Sequence, residues 1–225
     1  MGSNPTRPTK LIRAMEAETP GLKPDPQIDE WLQRQRAKQG ARWPQADEVL
    51  DSYRTAIAAL DHSVRDCPPD LWDAPIWEVK ASDPWMSPPP DAGVSPRSIE
   101  EMQVFGCFWY VAFHCIFYLD FYLSQLDPHP YRAPQPFGGE KEHDVDDNRV
   151  AIAPYQGYTQ DQLLDYLRRG LDKAEKVFSS LTVEQAATPC PPTSAHAGRP
   201  FSDLLRINLD HVREHGEELR AALAR

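Results

Sequence analysis

Glycine, paired cysteine and clustered basic charge are all scarce in this chain of 225 residues. Only 11 residues are Gly, and none form the Gly-rich turn that cradles a phosphate. The four cysteines, Cys67, Cys107, Cys115 and Cys190, show no C-x-x-C spacing, which excludes a zinc ribbon and gives no disulfide framework. Cys107 and Cys115 fall in the most apolar stretch, where Cys acts as a small buried hydrophobe. Lys and Arg total 24 against 34 Asp and Glu, a formal net charge of −10. No Lys/Arg run forms a basic stripe, so nucleic acid is not an expected partner. Near the N-terminus the longest apolar step is Leu11-Ile12, too short for a signal-peptide core, so a cytoplasmic location is expected. The strongest apolar run, residues 104–123, approaches membrane-span length. It contains His114 and Asp120, lacks Lys/Arg anchors at its ends, and carries four Tyr or Trp residues. A buried core helix is the expected reading, with no membrane partner. No Ser-His-Asp or Cys-His pattern suggests a nucleophilic site.

Proline, by contrast, is abundant at 23 residues, clustered in 5–26, 68–96, 128–136 and 189–200. Such clusters divide a chain into helices joined by rigid connections. Residues 1–43 form an N-terminal extension, partly helical over 27–39, where Trp31 and Leu32 are the large apolar anchors. Residues 44–225 form the main domain. Helix one is predicted from about Pro44 to Asp66, with Leu50, Tyr53, Ile57, Leu60 and Val64 as its apolar stripe and Cys67-Pro68-Pro69 as its stop. Helix two is predicted from Ser98, where Ser98-Ile99-Glu100-Glu101 makes a capping box, to about Gln125. Helix three follows Thr159, a plausible N-cap, with Leu163, Tyr166, Leu167, Leu171, Ala174 and Phe178 on one face and a weakening Gly170. Helix four runs from about Pro200 to Ala224. Little reads as strand; residues 150–153 are a short extended piece without an evident partner. The fold class is therefore all-α, a four-helix bundle whose long links, one to two and two to three, cross over its end.

The chemistry concentrates in histidine. His211 and His215 stand four apart on helix four, on the face shared by Phe201, Leu204, Asn208 and Leu219. An H-x-x-x-H pair arises by chance in roughly a fifth of chains with this His content, so its place on the apolar stripe carries the argument. His114 lies mid-way along helix two. Neutral imidazoles in a dry interior are costly unless they share something, and a divalent metal ion is the usual answer. The plainer alternative is three core histidines, each satisfied by a backbone or carboxylate partner. His62, His129, His143 and His196, on a polar helix end or in loops, are expected to face solvent. Pocket candidates are Asn208, one turn before His211, and Tyr110 and Tyr118, four residues either side of His114. Asp210 and Glu214 should turn outward. Trp72, Trp77 and Trp85 cover the bundle or roof its cleft.

Asp70-Leu71-Trp72 after helix one, His114 within helix two, and the terminal run from Leu209 and Asp210 through His211, Val212, Arg213 and Glu214 to His215 together resemble the DinB/YfiT-like family. The resemblance covers about residues 45–223; the extension and the longer connections around 77–93 and 126–158 depart from it. It implies a DinB-like four-helix bundle, commonly a homodimer, with a divalent ion held by His114, His211 and His215. Three imidazoles leave coordination positions open and suit zinc, nickel or iron. The implied activities are metal-dependent ones on a small molecule, of thiol-dependent S-transferase or hydrolase type, with a low-molecular-weight thiol as substrate. Whether the chain is an enzyme is left open: a non-catalytic metal-binding or stress-related protein, and a metal-free interaction bundle, remain alternatives.

Overall fold

The computed structural model describes residues 40–80, 102–127, 129, 131–140, 153–154, 156–191 and 196–225. Apart from Gly40, these belong to one compact unit, Ala41–Arg225. The expected extension over 1–39, the Ser98–Glu101 capping box and Trp85 lie outside the described residues.

Four long helices build the unit: α1 (Ala46–Asp66), α3 (Phe108–Leu123), α4 (Gln160–Ser180) and α6 (Phe201–Leu223). Two short ones, α2 (Pro69–Trp72) and α5 (Val183–Ala187), lie in the connections. Helix α1 packs on α4 and α6, α3 packs on the same two, and α1 and α3 meet only slightly across the diagonal. The link from α1 to α3 therefore crosses the bundle, as expected. The link from α3 to α4 joins two helices that pack on each other. Helices α4 and α6 share no packed seam among the described residues, so the chain makes its other diagonal step there.

Each amphipathic stripe is buried where periodicity placed it. Tyr53, Leu60 and Val64 of α1, Leu163, Tyr166 and Phe178 of α4, and Phe201, Leu204 and Leu219 of α6 are all in the core. Helix α3 differs, being apolar on every face, and a helix of that kind must be surrounded. Its aromatic side chains supply most of the interior: Phe108, Phe113 and Phe117 are fully buried. Burial of side chains this size stabilises by about 1.5–3 kcal/mol each before conformational entropy is counted.

Helix two is not continuous as predicted. Val104–Gly106 forms a single 3-10 turn and Cys107 is extended, so α3 starts only at Phe108. Tertiary pairing overrides helix propensity there. The Ile76 amide donates to the Gly106 carbonyl (2.8 Å) and the Phe108 amide to the Ala74 carbonyl (3.1 Å), docking the strap after α2 onto this break. Gly106 is required by close approach: a Cβ there would lie 2.7 Å from the Trp77 carbonyl oxygen. Cys107, expected inside the helix as a buried hydrophobe, is half-buried at its start, its thiol donating to the Asp73 carbonyl (3.1 Å). All four cysteines are free thiols.

Capping chemistry sets the other boundaries. The Thr159 hydroxyl accepts from the Gln162 amide while the Gln162 side chain accepts from the Thr159 amide, a reciprocal box that opens α4. Thr182 and Gln185 make the same box for α5, an element the periodicity did not suggest. Gln160 reaches back to α1, donating to the Val64 carbonyl (2.5 Å) and the Arg65 carbonyl (3.0 Å) in its last turn. Ala153–Pro154 pairs antiparallel with Gly139–Glu140, so the expected extended piece has a partner after all; its residues 150–152 lie outside the described residues.

One buried polar cluster pins α3 to α4. Asp120 accepts from Tyr131 (2.7 Å) and Tyr166 (3.2 Å) and pairs with Lys173, which also donates to Ser124 (2.5 Å). A carboxylate so buried is tolerable because its lone pairs are filled and its charge is matched. No helix among the described residues is long and apolar enough to cross a membrane.

Candidate metal centre

The seam between α3 and α6 holds the three histidines. On α3 the spacing of four puts Tyr110, His114, Tyr118 and Tyr122 on one face. Every residue of Phe108–Leu123 is buried except His114, which keeps an intermediate exposure. His114 is thus the one residue of α3 that its neighbours do not fully enclose. On α6 the same spacing places His211 above His215, both half-buried.

The three rings meet. His211 and His215 are edge to face with centroids 4.5 Å apart, and His114 lies 5.2 Å from His211 and 5.1 Å from His215. Nε2 of His114 is 3.2 Å from Nε2 of His211. One ligating nitrogen from each ring lies within 4.8 Å of the other two. Two nitrogens on one tetrahedral ion, each about 2.0–2.1 Å from it, stand about 3.3–3.4 Å apart, so the closest pair already has a shared-ion spacing.

Electrostatics agrees with the geometry. Burial first, then the nearness of His211 and His215, holds His114 well below the usual imidazole range. Burial, followed by His215, pushes His211 down to about 3. Both rings are therefore neutral at pH 7, the form that ligates metal. Nδ1 of His211 is buried with no hydrogen-bond partner among the described residues. An imidazole held in this way is destabilising by about 1–3 kcal/mol unless something else is gained at the ring. The fit to a divalent transition metal rests on the donor set itself, three converging imidazole nitrogens of which two come from neutral rings.

The pocket candidates divide. Tyr118 lies tilted at 4.7 Å from His114 and edge-on at 5.6 Å from His211, and Tyr110 lies 6.2 Å from His114, so both tyrosines border the imidazoles. Asn208 is fully buried and its amide makes a long contact (3.5 Å) to the Leu119 carbonyl, tying α6 to α3. Asp120 belongs to the Lys173 cluster instead. Asp210 and Glu214 are exposed, as expected. Trp77 approaches His215 at 6.3 Å, whereas Trp72 packs on Phe108 and donates to the Tyr158 carbonyl (3.0 Å), covering a different part of the bundle.

Two features escaped the sequence reading. Oε2 of Glu218 is 2.7 Å from Nδ1 of His215, a contact that the i, i+3 spacing on α6 could have signalled. His196, expected in solvent, is half-buried with Nε2 3.4 Å from the Tyr122 hydroxyl; burial lowers its pKa. His62 and His129 are exposed, and His143 lies outside the described residues.

Comparison with known proteins places this arrangement. The model of the DinB superfamily matches residues 107–219, half of the chain, from the start of α3 nearly to the end of α6. The chain belongs to the DinB superfamily. That stretch contains all three histidines, Glu218 and both tyrosines, so the DinB-like region and the candidate site coincide. No curated protein and no solved structure matches the chain.

Proposed function

We propose that this DinB-like protein holds one divalent transition-metal ion (zinc, nickel or iron) on His114, His211 and His215. With it the chain acts on a small molecule, in a reaction of thiol-dependent S-transferase or hydrolase type. The observation that supports this most is the convergence of three imidazoles from two helices, two of them with facing Nε2 atoms 3.2 Å apart. When bound, such an ion supplies Lewis acidity at its remaining positions, favouring the deprotonated form of a thiol or water there.

The residues around it have definite tasks. His114, the one partly exposed side chain of α3, marks where a small molecule reaches the centre. Tyr118 and Tyr110 beside His114 and Trp77 near His215 restrict water around the imidazoles and offer aromatic surface to the apolar part of a ligand. The absence of a carboxylate or thiolate among the three converging side chains keeps the site's charge positive once loaded, which suits an anionic ligand such as a thiolate. The setting proposed with this reading is a cytoplasmic homodimer that acts without nucleic acid or membrane.

Elemental analysis of protein purified without a polyhistidine tag tests the metal, and conjugation of electrophiles to low-molecular-weight thiols by the loaded protein tests the reaction. About one ion per chain, lost in His211→Ala, together with thiol conjugation that the variant lacks, is the expected result. An ion without turnover of any thiol or hydrolysable ester points to a non-catalytic metal-binding protein. No ion after metal-replete expression overturns the reading.

A further inference from the structure

We propose that Glu218 is the positioning residue of this site: it fixes which nitrogen of His215 faces the centre and holds that ring ready to ligate. The inference rests on the metal reading above and names a residue that reading does not use.

A neutral imidazole carries one N–H and one bare nitrogen, and only the bare nitrogen can ligate a metal. Which is which depends on the hydrogen bond made by the opposite end of the ring. A carboxylate only accepts. With Oε2 of Glu218 at 2.7 Å, Nδ1 of His215 is the donor, and the lone pair is left on Nε2. The i, i+3 step on α6 brings the carboxylate to Nδ1, and Trp77 lies 6.3 Å away from the same ring. The carboxylate is itself partly solvated, with Glu218 36% exposed and His215 13% exposed.

The other two histidines lack this arrangement. Nδ1 of His211 has no partner among the described residues. His114 and His211 face one another through Nε2 at 3.2 Å, so their nearest partner at that nitrogen is another imidazole rather than a carboxylate. Among the described residues, His215 alone of the three has a ring nitrogen hydrogen-bonded from outside the trio. Glu218 therefore makes His215 the ligand that is ready first, and its removal weakens metal binding without disturbing the bundle, since the side chain lies at the surface of α6.

The experiment uses the full chain with cobalt(II) alone as probe, in wild type, Glu218→Ala, Glu218→Gln and His114→Ala. Nitrogen NMR of the histidine rings is recorded on the metal-free proteins. Glu218→Ala is expected to bind cobalt about 10–100-fold more weakly, with one ion per chain and an unchanged metal-free melting temperature. In that variant the His215 ring signals move towards a mixture of tautomers. Glu218→Gln keeps an oxygen that can accept from Nδ1, so its loss is less than about tenfold and its tautomer is that of wild type. Glu218→Ala binding within about threefold of wild type overturns the inference, as does a matching fall in metal-free stability, which would mean a structural role. Wild type and His114→Ala separate the two readings. If wild type takes up no cobalt, the metal reading fails and this one with it; if wild type binds, His114→Ala loses the ion and Glu218→Ala does not, only this one fails.

Discussion

Acid should unfold the metal-free protein in a way that the buried imidazoles dictate. His211 is held down to about 3 by burial and by its neighbour His215, against an ordinary value of 6.5. Below about pH 6.5 the unfolded chain takes up a proton on this ring that the folded chain refuses. The unfolded state then binds more protons, so stability falls with pH at up to about 1.4 kcal/mol per pH unit for one ring. The fall begins near pH 6.5 and levels off near 3. Between pH 6 and pH 4 one ring accounts for at most about 2.5 kcal/mol, approached from below because an edge of the ring remains solvated. Other acid-sensitive groups add slopes of their own, so the informative quantity is a difference. Urea unfolding of wild type and His211→Asn, both in chelator, is measured at steps from pH 7 to pH 4. Wild type should lose up to about 2.5 kcal/mol more than the variant over the last two units. A double variant with His114→Asn should flatten the curve further, since burial lowers His114 in the same direction. Parallel curves for wild type and His211→Asn would refute the reasoning.

Three other perturbations test the frame around the site. Asp120→Ala removes the carboxylate shared by Lys173, Tyr131 and Tyr166 at the α3–α4 seam, leaving Lys173 on Ser124 and the two hydroxyls on each other, and should cost about 1–3 kcal/mol by chemical denaturation. Gly106→Ala drives a Cβ into the Trp77 carbonyl and should cost about 1–3 kcal/mol; tryptophan fluorescence should report the shifted strap. Thr159→Ala removes the α4 capping box and should lower stability by about 1 kcal/mol, with no effect on cobalt affinity.

Much of this was legible in residue spacing. The stripes of α1, α4 and α6 follow a period near 3.6, and no competing signal intrudes, so Tyr53, Phe178 and Leu219 fall in the core as read. The histidine trio was legible for the same reason: spacing of four fixes two rings on one face, and the apolar surroundings of His114 place the third inside. What escaped depends on partners distant in sequence. The break at Cys107 is made by the strap at residues 74–76, which offers backbone hydrogen bonds that no local propensity encodes. His196 reaches Tyr122 across the fold, and its loop gave no hint of that. Asp120 looked like a neighbour of His114 in sequence, yet a step of six residues turns it to the α4 side, where Lys173 waits. Glu218 was the exception, a local contact passed over because an acid on a helix is usually just a solvated face.

X-ray absorption at the metal edge of protein loaded with one equivalent of zinc addresses the shared ion without mediation by activity or stability. Three nitrogen scatterers at about 2.0–2.1 Å, with the outer-shell pattern of imidazole and one or more light-atom neighbours, are expected for the site on His114, His211 and His215. A shell dominated by sulfur, fewer than three imidazoles, or a spectrum unchanged in His114→Ala would contradict it.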